Sequence, residues 1–94
     1  MVDEIQFTVK PFANCNIYQE MFKLVEEVGE VAAELYNSDR KYVLDWEDVH
    51  SVACECADVL QATVNLLCML GYTDIQSLMD ATYEKNFNRG CYAE

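Results

Sequence analysis

Apolar side chains at Ile17, Met21, Leu24, Val28, Val31 and Leu35 recur in steps of 4-3-4-3-4. That spacing keeps them on one side of a helix and is the seam of a packed bundle. It predicts a helix over residues 17–36, with Asn16 as N-cap and Gln19 three residues on, as in a capping box. Asn37, Ser38 and Asp39 break it, and residues 40–44 read as a connection. A second stripe follows at Val49, Val52, Cys56, Val59, Thr63, Leu66 and Leu70, widened by Leu60, Val64 and Leu67. It predicts a helix over residues 46–70, capped by Asp45, with Asp48 in the first turn where the helix dipole favours an acid. Gly71 suits a C′ position. A third, shorter helix, capped by Thr73 or Asp74, is expected over residues 75–87, with Gly90 closing the segment. Ahead of these, Ile5, Phe7 and Val9 alternate in a short leader, and Pro11 separates it from the rest.

The expected fold class is all-α: a leader over residues 1–13, then one helical domain over residues 14–94. Two long antiparallel helices and a short C-terminal one cannot bury all these apolar faces. Oligomerisation into a four-helix bundle, as a homodimer or a dimer of dimers, would do so. At 94 residues and 52% hydrophobic content the chain is of a size that often completes its core this way.

Charge changes the picture. Six basic against seventeen acidic residues give a formal net charge of −11, which repels nucleic-acid backbones and anionic membranes. A polyphosphate ligand would require a bound divalent cation to invert the local field. The N-terminal residues lack a basic stretch followed by an apolar one. The longest apolar run, residues 66–70, is far short of the ~20 residues that cross a bilayer. A cytoplasmic protein is therefore expected, and the five cysteines read as small hydrophobes in a reducing compartment. Zinc bound by Cys54, Cys56 and His50 is disfavoured, because that spacing does not match the usual structural sites.

The acids are patterned. Glu20, Glu27, Glu30 and Glu34 form their own stripe, about 100° from the apolar seam, so they flank the core. Glu20 and Glu34 read as a solvated face, and Glu26 lies on the solvent side. On the second helix Glu55 and Asp58, three apart, sit among Ala53, Cys54, Cys56, Ala57, Val59 and Leu60. Two acids in so apolar a stretch are costly without a compensating cation or hydrogen bonds. Facing antiparallel helices would gather Glu27, Glu30, Glu55 and Asp58 into a cluster suited to a hard cation with oxygen ligands. A di-iron centre wants Glu-x-x-His pairs, and His50 does not follow a Glu by three; Mg²⁺ or Mn²⁺ is favoured.

Glu26-Glu27-Val28-Gly29-Glu30 followed by Glu55-Cys56-Ala57-Asp58 is similar to the EExxE…ExxD signature of the all-α nucleoside triphosphate pyrophosphatases. That superfamily includes MazG proteins, dimeric dUTPases, dCTP pyrophosphatases and phosphoribosyl-ATP pyrophosphatases. A third block, from Glu84 through Lys85, Asn86, Phe87, Asn88 and Arg89 to Gly90, resembles the KNxxR(G) element of the MazG type. The resemblance implies cleavage between the α- and β-phosphates of a (deoxy)nucleoside triphosphate, giving a monophosphate and pyrophosphate. It implies Glu27, Glu30, Glu55 and Asp58 as magnesium ligands. Glu26, or a ligand carboxylate such as Glu27, would take the proton of the attacking water. Lys85 and Arg89 would donate to phosphates, helped by Asn86 or Asn88. Lys23 is either a phosphate contact or an i, i+4 partner of Glu27. Asn65, two turns beyond Asp58, is either a base or ribose contact or a polar interhelical bond. Trp46, Phe12 and Phe22 would either stack on a base or belong to the core. Val59-Leu60-Gln61-Ala62 follows Asp58 where phosphoribosyl-ATP pyrophosphatases carry Tyr-His, and the chain is short for a two-domain MazG protein or a long dUTPase. A compact MazG-like enzyme is the expectation. A non-catalytic nucleotide- or metal-binding oligomer of the same fold is the alternative, and a structural helical dimer is a third reading.

Overall fold

The computed structural model describes residues 3–38 and 45–92, and among them it has three helices and no strand. They are α1 (Ile17–Ser38), α2 (Trp46–Met69) and α3 (Ile75–Asn88). Each helix starts at a side chain that satisfies an otherwise orphan N–H group. Gln19 N–H donates to Asn16 Oδ1 and Asn16 N–H to Gln19 Oε1, both at 2.9 Å, closing the expected capping box. Asp45 and Asp48 form the same reciprocal pair at the start of α2, and Asp74 accepts from Ser77 N–H at the start of α3. Both later helices end on left-handed glycines. Gly71 has φ +94° and Gly90 φ +83°, and the residues after them, Tyr72 and Cys91, donate back to Leu67 and Asn86 carbonyls. These are Schellman closures, which strongly favour a residue without Cβ. α1 continues through Asn37 and Ser38, two of the three residues expected to break it, because neither side chain forbids helical backbone; Asp39 and the connection over residues 40–44 lie outside the described residues.

α1 and α2 pack against each other and run antiparallel, since Phe12 meets Asn65 while Glu27 meets Glu55 and Asp58. The face α1 turns to α2 differs from the predicted seam. Ile17, Leu24 and Val31 are half-buried as expected, but the positions between them on that face are Glu20, Glu27 and Glu34. Met21, Val28 and Leu35 are exposed. Glu20, expected on a solvated face, is 2% exposed and accepts a long hydrogen bond from the Cys15 thiol at 3.6 Å. Glu34 is half-buried as well. On α2 the inner face is Val52, Glu55, Val59, Ala62 and Leu66, whereas Val49, Cys56 and Leu70 of the predicted stripe point outward. The physical reason is that each helix carries two apolar stripes with one neighbour in the chain. The pairing turns Glu27 toward Glu55 and Asp58 and leaves Met21, Val28 and Leu35 uncovered.

Among its described residues the leader forms no strand; it is pinned to α2 by polar bonds. Phe12 N–H donates to Asn65 Oδ1 at 3.0 Å, and Gln61 Nε2 donates to the same oxygen at 2.9 Å and to Lys10 O at 3.0 Å. Asn65, 2% exposed, is the hub. α3 has no extensive contact with α1 or α2 among the described residues, and its Met79, Tyr83 and Phe87 are exposed. α2, at 24 residues and mean hydropathy 1.3 over its most apolar window, is long and apolar enough to cross a membrane by length and composition. The expectation that no segment reaches that length holds only for uninterrupted apolar runs. Glu55 and Asp58 lie mid-helix, where a bilayer would charge roughly 2.5–3.5 kcal/mol for an aspartate and a comparable penalty for a glutamate.

Asn65→Ala removes the acceptor for two part-buried donors. It is expected to lower the free energy of unfolding in urea by about 1–3 kcal/mol and to make the leader more sensitive to proteases. A loss below roughly 0.5 kcal/mol with unchanged proteolysis would show that the leader is not held this way.

Candidate metal centre

Glu27 lies one turn from both Leu24 and Val31 on the inner face of α1, and its side chain is half-buried between the helices. Glu55 takes the equivalent place on α2, between Val52 and Val59. Asp58, one turn further along α2, is exposed at the rim of the interface. One oxygen from each of these three carboxylates lies within 4.8 Å of the others. Glu30, also exposed, joins the group by hydrogen-bonding to both Glu27 and Glu55. A carboxyl–carboxyl hydrogen bond needs a proton, so the four groups are held at a spacing that full ionisation opposes.

The titration of the cluster reflects this. Glu27 is pushed above the ordinary carboxylate range by desolvation, then by the charges of Glu30 and Asp58, the Glu30 hydrogen bond and the charge of Glu26. Glu55 is pushed up first by its hydrogen bond with Glu30, then by desolvation and by the charges of Glu30, Asp58 and Glu27. Glu27 Oε2 and Glu55 Oε2 are both buried and have no hydrogen-bond donor. Such oxygens ordinarily find a partner. Every donor atom of the cluster is a carboxylate oxygen, the ligand type of Mg²⁺, Mn²⁺ and Ca²⁺. Oxygens around one magnesium ion stand about 3 Å apart when adjacent and about 4.2 Å when opposite. A group whose oxygens are separated by at most 4.8 Å reaches that geometry with small side-chain adjustments.

The other candidate residues are dispersed. Glu26 is exposed beside the cluster and its charge acts on Glu27. Lys23 is exposed nearer the start of α1, where its charge lowers the pKa of Cys15 against a net upward push from desolvation and Glu20. Asn65 has its Oδ1 committed to the leader and lines a cleft of about 230 Å³ with Pro11, Phe12, Ala13, Cys68 and Met69. Lys85, Asn86 and Arg89 belong to α3 and its C-cap, which the chain does not fold onto the cluster. Trp46, Phe12 and Phe22 are exposed rather than core, and Trp46 stacks on His50 instead. Sequence reasoning missed the Cys15–Glu20 contact and the role of Gln61. Glu20 precedes Met21 of the predicted seam, and that spacing gave no sign of whether it faced a neighbour or solvent.

A carboxyl whose pKa is raised on folding binds more protons in the folded state than in the unfolded one. Between the unfolded value near 4.5 and the raised folded value, stability therefore falls as pH rises. The metal-free protein is expected to lose thermal stability as pH climbs above 4.5 through the raised values, and Glu27→Gln or Glu55→Gln should flatten that decline. Melting temperatures across this window test it; equal slopes in wild type and both variants would refute the shared-proton cluster.

Comparison of the chain with protein-family models, with curated proteins and with solved structures finds no match.

Proposed function

We propose that Glu27, Glu30, Glu55 and Asp58 hold Mg²⁺ or Mn²⁺ and that the chain is a MazG-like nucleotide pyrophosphohydrolase of the cytoplasm, converting a (deoxy)nucleoside triphosphate to its monophosphate and pyrophosphate. The observation that carries the metal assignment is that Glu27, Glu55 and Asp58 each offer an oxygen within 4.8 Å of the others, while Glu27 Oε2 and Glu55 Oε2 are buried without a hydrogen-bond partner. A carboxylate layer between two helices that otherwise suffers repulsion is relieved by a hard cation more completely than by a shared proton. The substrate class rests on the order and spacing of the acidic pairs and of the Lys85–Arg89 block, which resemble the superfamily named above.

When bound, the cation neutralises phosphate charge and lowers the pKa of a water placed for in-line attack. The chain supplies the rest. Glu26, exposed and one residue before Glu27, is assigned to accept that water's proton. Arg89 and Lys85 donate to phosphate oxygens, Arg89 in the two-point manner its planar guanidinium allows, and Asn86 adds a neutral donor. Lys23 and Asn65 are assigned to the substrate only as contacts at the edge of this arrangement; Asn65 has its amide nitrogen for the purpose.

α3 does not fold onto the cluster within one chain. The proposal therefore requires a homodimer or a dimer of dimers, in which the exposed Met21, Val28 and Leu35 of α1 and Leu60 of α2 are covered and a cationic segment is brought to the acids. The same observation favours a second reading in which the assembly binds nucleotide or metal without turnover, because the phosphate donors are not preassembled.

Pyrophosphate release from a panel of nucleoside and deoxynucleoside triphosphates with Mg²⁺ tests the first reading. Glu55→Gln, Glu30→Ala and Asp58→Ala are each expected to lower kcat at least about 100-fold, and Arg89→Ala to raise KM about tenfold. Equal rates in wild type and the acid variants would sink the metal assignment. Nucleotide binding that requires the acids but yields no pyrophosphate would select the second reading. In sedimentation velocity the wild type is expected to run as a dimer or larger, and Val28→Glu to shift it toward monomer; a monomeric wild type at assay concentrations would contradict the assembly.

A further inference from the structure

The first half of α2 carries a second metal-ligating pair, different in donor chemistry from the carboxylates. His50 and Cys54 are four residues apart, so they stack on one face of the helix, and both are exposed. Cys54 Sγ and His50 Nε2 stand 3.5 Å apart. The imidazole lies against Trp46, with ring centroids 6.4 Å apart and planes 23° from parallel, which restrains the ring in that orientation. Zinc bonds thiolate sulfur at about 2.3 Å and imidazole nitrogen at about 2.0–2.1 Å in a tetrahedron, so those two ligand atoms stand about 3.6 Å apart. The two side chains are in hydrogen-bond contact, and their separation is close to that edge.

The register adds to the argument. Glu47 and Asp58 share the stripe of His50 and Cys54, in steps of 3, 4 and 4, and lend the face a negative potential that attracts cations. Cys56 lies on another face, and the three-residue ligand cluster found among the described residues is the carboxylate one. The pair thus supplies two of four tetrahedral ligands and leaves two positions to water or to an exchangeable ligand.

We propose that His50 and Cys54 form an open, two-ligand site for a thiophilic divalent ion, zinc above all. Thiolate and imidazole suit zinc and not magnesium, so the two sites sort ions by softness. Binding converts the Cys54 thiol to thiolate and releases its proton to solvent.

Cobalt(II) is the probe, added to the full-length chain with Mg²⁺ in excess to occupy the carboxylates. The wild type should develop a thiolate-to-cobalt charge-transfer band that saturates at one ion per chain and disappears when Zn²⁺ is added. Cys54→Ser should abolish the band, His50→Ala should weaken binding at least about tenfold, and Cys56→Ser should leave it intact, with helical circular dichroism unchanged throughout. Alkylation of the unmodified protein provides a second reading: Zn²⁺ should slow iodoacetamide at Cys54 and leave Cys91 unaffected. Absence of the band in wild type, its survival in Cys54→Ser, or failure of zinc to protect Cys54 would each overturn the proposal.

Discussion

Glu20, Glu27 and Glu34 share the inner face of α1 with Ile17, Leu24 and Val31, and Glu55 faces them from α2. Ionised carboxylates at such an interface lose hydration and repel one another, so the helices can approach only if the charge is neutralised or hydrogen-bonded. Each acid meets this constraint differently. Glu20 is buried with a thiol donor from Cys15. Glu27 and Glu55 are pushed above the ordinary carboxylate range, Glu27 first by desolvation and Glu55 first by its hydrogen bond with Glu30, with the neighbouring acids adding to both. The remaining oxygens, Glu27 Oε2 and Glu55 Oε2, are buried with no hydrogen-bond partner, and the proposed cation would complete them.

Seating the acids inward has a second consequence. The apolar positions that would ordinarily make the α1–α2 seam, Met21, Val28 and Leu35, are left outward, as are Met79, Tyr83 and Phe87 on α3. Ala62 is the single buried hydrophobic residue among those described. Apolar burial on this scale is small for an independent domain. The polar interface and the uncovered apolar faces therefore arise together: turning the acids inward leaves the apolar stripes outward.

Much of the fold was legible. Helix starts were announced by Asn16, Asp45 and the pair Thr73 and Asp74, of which Asp74 is the cap, because a capping side chain is a local requirement visible within four residues. The glycine stops at Gly71 and Gly90 were legible for the same reason. Helix rotation was not, since both stripes of α1 obey the same 3–4 spacing, and which one faces α2 depends on the surface presented in return. The inward pairing of Glu27 with Glu55 and Asp58 was readable because two acids in the apolar run of α2 had few inexpensive explanations. The burial of Glu20 and the leader's attachment through Gln61 and Asn65 were not, as they join segments distant in sequence by bonds that leave no periodic trace.

The central claim is that the α1–α2 carboxylates bind one class of hard cation at one place. Titration of the isotopically labelled protein with Mn²⁺, read by paramagnetic broadening of its amide resonances, tests this most directly. Broadening at substoichiometric Mn²⁺ should centre on Glu27, Glu30, Glu55 and Asp58 and be reversed by Mg²⁺. Broadening spread evenly over acids such as Glu4, Glu47 and Glu84, with no focus between the helices, would contradict the account.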